Sequence, residues 1–338
     1  MLCSIIFMCK NKSIFKLSYN MNLGSLQKNI KTINSSSQEF GYKNRIQRKF
    51  QNYQLKRLVN LYQMNYKNGV AQGFGDYLRG CFFLLQVAML NNLKFDMNFV
   101  SHPIGEFLEI EQEQREESVD FKNVYRYMPN NIDKMHKEFY GDFCDHLNLL
   151  RDQNYYLFCN SYPITQITNM QRQVILSKIR PTEELQDAIK DAEKQLELPE
   201  FHGVIHIRTG DAFILRNNKL DPVTASNICN QIKKYISPAR QYLLLSDNNE
   251  LKNYLSKNMP NTKIIINDIT HLGESKNPSS VSVKNTLVDF FLMSKAKSII
   301  SFTMNPHGTS FSEWCAKLYN ISYSCQLLDV AKRNWFAL

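Results

Sequence analysis

The stretch Phe201-His-Gly-Val-Ile-His-Ile-Arg-Thr-Gly-Asp211 carries the pattern on which the predicted fold rests. Its apolar, β-branched centre predicts a buried strand, and alternation along that strand places His206 and Arg208 on one face. Gly210 permits a tight turn with unusual backbone angles, and Asp211 follows the carboxyl end of the strand. Open α/β sheets bind ligands at that end, so the sequence predicts a site here.

Strand and helix signals alternate along the chain that follows this stretch. Spacing predicts helices at 224–236, 250–256, 285–297 and 310–319, and strands at 242–245, 263–266 and 298–302. Such an order implies right-handed crossovers and a parallel sheet between two layers of helices. In a parallel sheet the strands end on one edge, so the polar residues that close them should converge around a crevice. These residues are Arg208, Asp211, Asp247, Asp268, His271, Thr303, His307, Thr309 and Ser310.

The length and the charge distribution predict a basic arm and two domains. A chain of 338 residues suits two domains of moderate size, and we predict boundaries of 1–48 for the arm, 49–175 for an N-terminal α/β domain and 176–338 for a Rossmann-like domain. The net charge of +10 comes from residues 1–60, whereas 30 basic and 30 acidic residues balance in the rest. A solvated, flexible arm is the favoured interpretation, and binding to nucleic acid or to an anionic membrane is the alternative.

The cysteines and the amino-terminal residues indicate in which cellular compartment the protein is expected. The eight cysteines form no C-x-x-C pair, which predicts reduced core thiols in a cytoplasmic protein without zinc. The apolar residues 1–9 are too short for a membrane span and do not resemble a signal peptide. We therefore expect at most a peripheral membrane contact through the arm.

The sequence of the N-terminal half also predicts an α/β arrangement of helices and strands. A basic helix is predicted for 46–62, and Gly73 and Gly75 are predicted to open a helix that continues through an apolar run to Leu90. That glycine pair is either an ordinary loop or a place where a ligand approaches the backbone. The remaining predictions are strands at 94–100, 123–128 and 154–158, an acidic solvated segment at 106–120, and helices at 139–150 and from Thr182 to Glu197.

Several residues of the C-terminal half have both a structural and a functional interpretation. Arg208 is either half of an ion pair or a bidentate phosphate ligand, and His206 is read by default as a hydrogen-bonded core histidine. Thr309 and Ser310 either cap a helix or bind a pyrophosphate. Asp289 lies in an apolar helix and needs a partner, which is a nucleobase edge or a neighbouring backbone group or lysine.

Three segments together resemble the motifs of the GDP-fucose-dependent fucosyltransferases of GT-B fold, a superfamily with α1,2-, α1,6- and protein O-fucosyltransferases. They are Gly73-Phe-Gly-Asp-Tyr-Leu-Arg-Gly80, His206-Ile-Arg-Thr-Gly-Asp211, and Val288–Phe302 followed by Thr309-Ser-Phe-Ser312. The resemblance implies two Rossmann-like domains that face a cleft, with the acceptor on the N-terminal side. Members commonly have Asn at the position of Asp76, and the α1,2 group has a second Arg where Thr209 stands, which leaves the linkage open.

The resemblance also implies roles for single residues. Arg208 would bind the donor β-phosphate, Asp289 the guanine, and Thr309, Ser310 and Phe311 the phosphates and base pocket. We include Gly73, Phe74, Gly75, His206, Asp247 and His307 among the candidate donor-binding residues. Catalytic candidates are Arg208 with Asp76 or Asp211 as the base. No Asp-x-Asp motif occurs, so we expect no metal.

The leading hypothesis from the sequence is therefore an inverting, metal-independent fucosyltransferase that uses GDP-fucose and a glycan or other hydroxyl acceptor. A catalytically silent nucleotide- or glycan-binding protein, a glycosyltransferase for another nucleotide sugar, and a nucleic-acid binder are the alternatives. Turnover of a nucleotide-sugar donor distinguishes the first from the second, and steep salt dependence of RNA or DNA binding would indicate the last.

Overall fold

A computed structural model describes residues 5–8, 14–17, 57–62, 72–90, 93–99, 102–110, 124–127, 154–200, 202–209, 215–216, 219–270, 272, 279–305 and 308–329. These residues cluster into two compact units. Unit 1 comprises 1–62, 77–98 and 116–178, and unit 2 comprises 63–76, 99–115 and 179–338. No helix among the described residues is long and apolar enough to cross a membrane.

The strands and helices fall into these units as follows. The elements up to residue 178 are β1 (Ile5–Met8), β2 (Ile14–Leu17), β3 (Arg57–Leu61), α1 (Phe74–Leu90), β4 (Lys94–Asn98), β5 (Tyr125–Tyr127), β6 (Tyr155–Cys159) and α2 (Asn169–Lys178), with a 3-10 turn at Pro103–Glu106. The later elements are α3 (Glu183–Leu196), β7 (Gly203–Arg208), β8 (Leu215–Arg216), β9 (Lys219–Leu220), α4 (Pro222–Lys233), β10 (Tyr242–Ser246), α5 (Asn249–Asn258), β11 (Thr262–Lys263), α6 (Ser280–Met293), β12 (Ser298–Thr303), α7 (Ser310–Tyr319) and β13 (Ser322–Leu327).

Unit 2 is built on a five-stranded sheet whose strands are all parallel. Its order is β11-β10-β7-β12-β13, so the strand of the opening sequence stretch, β7, lies at the centre. Ile205 and Ile207 pack on one face against buried residues of α4 and α5, whereas His206 points to the other face and contacts α7. Helices therefore cover both faces, and the predicted α/β architecture of this half is confirmed.

Two strands at the edges of this sheet differ from the sequence prediction. The edge strand β13, Ser-Tyr-Ser-Cys-Gln-Leu, was not predicted because its polar residues match its largely exposed position. At the opposite edge, the strand predicted for 263–266 is paired only at Thr262 and Lys263. The carbonyl of Ile265 instead accepts a hydrogen bond from the Lys252 ammonium at 2.9 Å, so a side chain replaces the continued ladder.

Unit 1 contains a second parallel sheet, of order β4-β3-β6-β5. The prediction of a basic helix is wrong for Arg57–Leu61, which forms β3 between two neighbouring strands. Leu58 and Leu61 are fully buried there, because an interior strand of a parallel sheet is covered on both faces. The basic residues that precede this short run masked its β-strand character, and residues 46–56 lie outside the described part of the chain.

Three buried polar residues in unit 1, Asn60, Asp96 and Gln86, are bonded to protein partners. The amide of Asn60 donates to the carbonyl of Cys159 at 3.2 Å and accepts from its amide nitrogen at 3.0 Å. Asp96 forms ion pairs with Arg57 at 3.1 Å and Lys178 at 2.7 Å. Gln86 accepts from Thr165 N at 3.0 Å and donates to Thr165 O at 3.1 Å. These pairings fix the sheet and α1 relative to the segment after β6.

Other predictions concern parts of the chain that the structure describes only in part. Thr182 is the N-cap of α3 as predicted, although its hydroxyl makes no capping hydrogen bond. Among the cysteines that are described, 81, 159, 229 and 315 are buried thiols and 325 is exposed, all without a disulfide. The helix predicted for 139–150, most of the acidic segment, and most of the basic arm lie outside the described residues.

Candidate active site

The carboxyl end of β7 supplies the first group of the site, Arg208. This residue is half-buried and pairs in register with Thr303 at the end of the neighbouring strand β12. The following residue, Thr209, is buried, and both its amide nitrogen and its hydroxyl donate to Asp247 Oδ1 at 3.3 Å. Asp247 follows β10, so the predicted convergence of strand ends is observed for these residues. Here Asp247 orients the backbone immediately after Arg208.

His206 joins the sheet to α7. Its Nδ1 lies 2.9 Å from the hydroxyl oxygen of Ser312, which lies 2.6 Å from that of Ser301 on β12. Burial and the nearby Arg208 charge lower the pKa of His206 to about 3, so the ring is neutral at physiological pH. These contacts support the default interpretation of His206 as a hydrogen-bonded core histidine, which anchors the start of α7 to the sheet.

The glycine segment begins α1, and its start packs against the start of α7. A Cβ atom at Gly75 would lie 2.1 Å from the carbonyl oxygen of Ser310 and 2.6 Å from the nitrogen of Phe311, a separation at which atoms clash. The hydroxyl of Ser310 donates to Asp76 Oδ1 at 2.8 Å. Of the two interpretations of the glycine pair, close backbone approach is therefore observed at Gly75, but the approaching backbone belongs to α7 and not to a ligand.

An aromatic cluster links the motifs to one another. Phe290 of α6 contacts the ring of Phe74 at a centroid distance of 5.0 Å and that of Phe311 at 5.5 Å. Phe311 in turn lies 5.8 Å from the His206 ring. Each of the three segments that resemble the fucosyltransferase motifs contributes at least one ring, so unit 2 brings them into direct contact. Edge-to-face geometry of this kind stabilises aromatic pairs beyond their burial.

The start of α7 offers groups suited to an anion. Thr309 is the N-cap residue, yet its side chain makes no capping hydrogen bond. Its hydroxyl is buried and has no hydrogen-bond partner within the described residues. The first N–H groups of a helix have no intrahelical acceptor, and the helix dipole favours negative charge there. A phosphate would satisfy both the hydroxyl and these N–H groups.

Asp289 is the buried acid of the site. It is 7% exposed in α6. Burial raises its pKa to about 6, and the positive charge of Lys252 opposes that rise. Lys252 is itself only 1% exposed, and burial lowers its pKa. Lys252 therefore interacts with Asp289 through its charge, as the interpretation with a neighbouring lysine as partner anticipated.

Several site candidates are not tested by this geometry. Asp211, His271 and His307 lie outside the described residues. Asp268 is exposed, and its carbonyl, rather than its carboxylate, accepts a hydrogen bond from Asn285. No cluster of three or more His, Cys, Asp or Glu side chains within the described part of the chain is arranged to hold a metal, and metal independence stays a prediction.

Sequence reasoning missed three residues of this region. Lys252 is a lysine in an amphipathic helix, a position that usually faces solvent, and only the tertiary fold buries it. Ser312 was quoted within a motif without a role, yet it bridges His206 and Ser301. Gln72 directly precedes the glycine segment and is 6% exposed. Its position beside Gly73 is the one signal that the sequence contained.

No family model matches the chain, and no curated protein matches it in sequence. Among solved structures, fucosyltransferase NodZ from Bradyrhizobium is 13% identical, with 78% of this chain and 92% of that chain covered and a TM-score of 0.47. POFUT1 in complex with GDP is 11% identical, with coverage of 81% and 98% and a TM-score of 0.44.

A mutant of Arabidopsis thaliana FUT1 in complex with GDP is 8% identical, with coverage of 91% and 80% and a TM-score of 0.49. Identities and scores this low transfer no residue roles, so any function has to follow from the residues of this chain.

Proposed function

We propose that the protein is an inverting, metal-independent glycosyltransferase that uses GDP-fucose as its donor. The observation that carries this proposal is the buried side chain of Asp289, which is 7% exposed and whose pKa is raised by burial to about 6. A buried acid needs donors. Guanine presents two adjacent donors, N1–H and the exocyclic amine, which a carboxylate can accept together; uracil and adenine lack that pair.

The rest of the site suits the diphosphate of such a donor. Arg208 ends the central strand opposite Thr303 of β12, and Thr309 at the start of α7 has an unpaired hydroxyl. A guanidinium can bind a phosphate through two parallel hydrogen bonds, and helix N–H groups add favourable dipoles. These groups would stabilise the negative charge that develops on the departing diphosphate, the largest single contribution in many transferases.

The reaction needs a base to activate the acceptor. An acceptor hydroxyl would attack C1 of the sugar, the bond from C1 to the phosphate oxygen would break, and the hydroxyl proton would pass to a carboxylate. The hydrogen bond from Ser310 to Asp76 supports Asp76 as that base, since it ties this carboxylate to the start of α7. Asp211 remains the alternative. Attack from the face opposite the leaving group inverts the configuration at C1.

Melting curves with four nucleotides test the proposal. GDP at a hundred times its dissociation constant should stabilise the fold by ~2.7 kcal/mol, whereas UDP, CDP and ADP should give little shift. The GDP shift should shrink in Asp289→Ala through lost base recognition and in Arg208→Ala through lost phosphate binding. A larger shift with UDP than with GDP would contradict the choice of donor. GDP binding without turnover of GDP-fucose, with or without acceptor, would instead indicate a silent binding protein.

A further inference from the structure

Gln72 is a buried side chain whose amide is not used by the fold. It is 6% exposed, and neither its Oε1 nor its Nε2 has a hydrogen-bond partner within the described residues. Buried polar groups are nearly always hydrogen-bonded, so an amide with neither end satisfied calls for an explanation.

The location of Gln72 narrows that explanation to a ligand. It precedes Gly73 and the first residue of α1, and that helix start packs on the start of α7 through Gly75 and Ser310. Both helices exceed eight residues, and both starts present N–H groups without intrahelical acceptors. The unpaired hydroxyl of Thr309 belongs to the same junction. Two buried side chains without partners therefore accompany the two helix starts.

The chemistry of an amide indicates which part of a ligand it binds. A diphosphate offers acceptors only, so it could satisfy the NH₂ group of Gln72 but would face its carbonyl oxygen with negative charge. A hydroxyl group both donates and accepts, and two neighbouring hydroxyls of a sugar satisfy both ends of one amide. Thr309 has the opposite character, since its hydroxyl can donate to a phosphate.

We propose that Gln72 binds the hydroxyl groups of the sugar that is transferred, and so selects the sugar of the donor. The assignment rests on the function proposed above, because it takes the diphosphate to lie at the start of α7. Gln72 is then a specificity residue that contributes affinity for GDP-fucose beyond the affinity for GDP alone.

The test compares Gln72→Leu with Gln86→Leu. Gln86 is the matched control because it is a buried glutamine, 2% exposed, whose amide is bonded to Thr165. Three quantities are measured for each protein: the melting temperature, the shift produced by GDP, and the ratio of the dissociation constants of GDP and GDP-fucose without acceptor. Gln72→Leu should keep or raise the melting temperature, since it removes unpaired polar atoms, whereas Gln86→Leu should lower it.

Gln72→Leu should also leave the GDP shift intact while the preference for GDP-fucose over GDP falls about tenfold, the loss of one or two hydrogen bonds. An unchanged preference would overturn the assignment. So would a melting temperature lowered as far as in Gln86→Leu, or a variant that fails to fold, because the amide would then serve the fold. Absence of any GDP shift in the wild-type protein would instead remove the proposed function, and the sugar assignment with it.

Discussion

Replacing Asp289 with Asn should change how the stability of the protein depends on pH. Burial raises the pKa of Asp289 from 3.8 to about 6. A carboxyl with a raised pKa in the folded state binds protons more tightly there than in the unfolded state. The free energy of unfolding therefore falls as pH rises from about 4 to about 6, and it stays lower at neutral pH.

The size of this effect follows from the two pKa values. A tenfold change in an ionisation constant is worth about 1.4 kcal/mol, so a rise from 3.8 to about 6 corresponds to roughly 3 kcal/mol. Between pH 4 and pH 7.5, the wild-type protein should lose roughly 2.5 kcal/mol more stability than Asp289→Asn, which cannot ionise at this position, because at pH 4 the unfolded carboxyl is already partly ionised. Urea unfolding at four pH values across this range measures the difference. Parallel pH profiles would refute the reasoning.

Donor binding should offset the free-energy cost of ionising the buried Asp289. Guanine N–H groups that donate to Asp289 favour its ionised form, so the dissociation constant of GDP-fucose should rise about tenfold for each pH unit below 6. GDP-fucose is the right ligand because both phosphates are esterified and do not titrate there, unlike the terminal phosphate of GDP. In Asp289→Asn the binding should be weaker and independent of pH between 5 and 7.5. Equal pH dependence in both proteins would assign the titration to another group.

Four further changes have expected outcomes. Gly75→Ala should destabilise the fold by ~2 kcal/mol in urea unfolding, because its methyl group would meet the Ser310 carbonyl at 2.1 Å; a neutral change would contradict the close approach. Arg208→Lys should keep the melting temperature but lower turnover about a hundredfold, ~3 kcal/mol, and near-normal rates would make this arginine structural. Deleting residues 1–45 should leave donor turnover within a small factor, and inactivity of a folded truncation would place the arm in the site. EDTA should have little effect, whereas rescue by magnesium after its addition would show a metal requirement.

The sequence predicted the parallel sheet of unit 2 because its central elements carry strong local signals. The strand that ends at Arg208 is a mainly apolar run, and residues 285–297 show helical spacing of apolar residues. Each pattern involves only residues that are close in sequence, so it can be recognised without the tertiary structure. The start of α6 was placed five residues too late: Ser279 caps it by accepting a hydrogen bond from Ser282 N, and the two valines of its first turn, Val281 and Val283, alternate with serines instead of showing helical spacing. The strand β13 was not predicted, because an exposed edge strand tolerates polar residues and therefore carries no apolar pattern that marks it.

The candidate site was predictable in its residue types but not in its contacts. Strand ends and helix starts can be read from local sequence, so the positions of Arg208 at the end of β7 and of Thr309 and Ser310 at the start of α7 were predicted, while their roles stay predictions. The hydrogen bond from Ser310 to Asp76 joins residues that are 234 positions apart, so no local sequence pattern could predict it. Burial of Lys252 and Gln72 likewise depends on tertiary packing, because both residue types are usually exposed.

An unpaired buried atom is not by itself a sign of function in this protein. Thr182, His202 and Asn249 also carry buried side-chain atoms without a partner among the described residues, and none of them lies in a segment that resembles a fucosyltransferase motif. Gln72 and Thr309 differ because each adjoins a helix start that touches the other helix start. Leaving both unpaired at one junction is expected where a polar ligand completes the hydrogen bonding, and that ligand would be the sugar diphosphate.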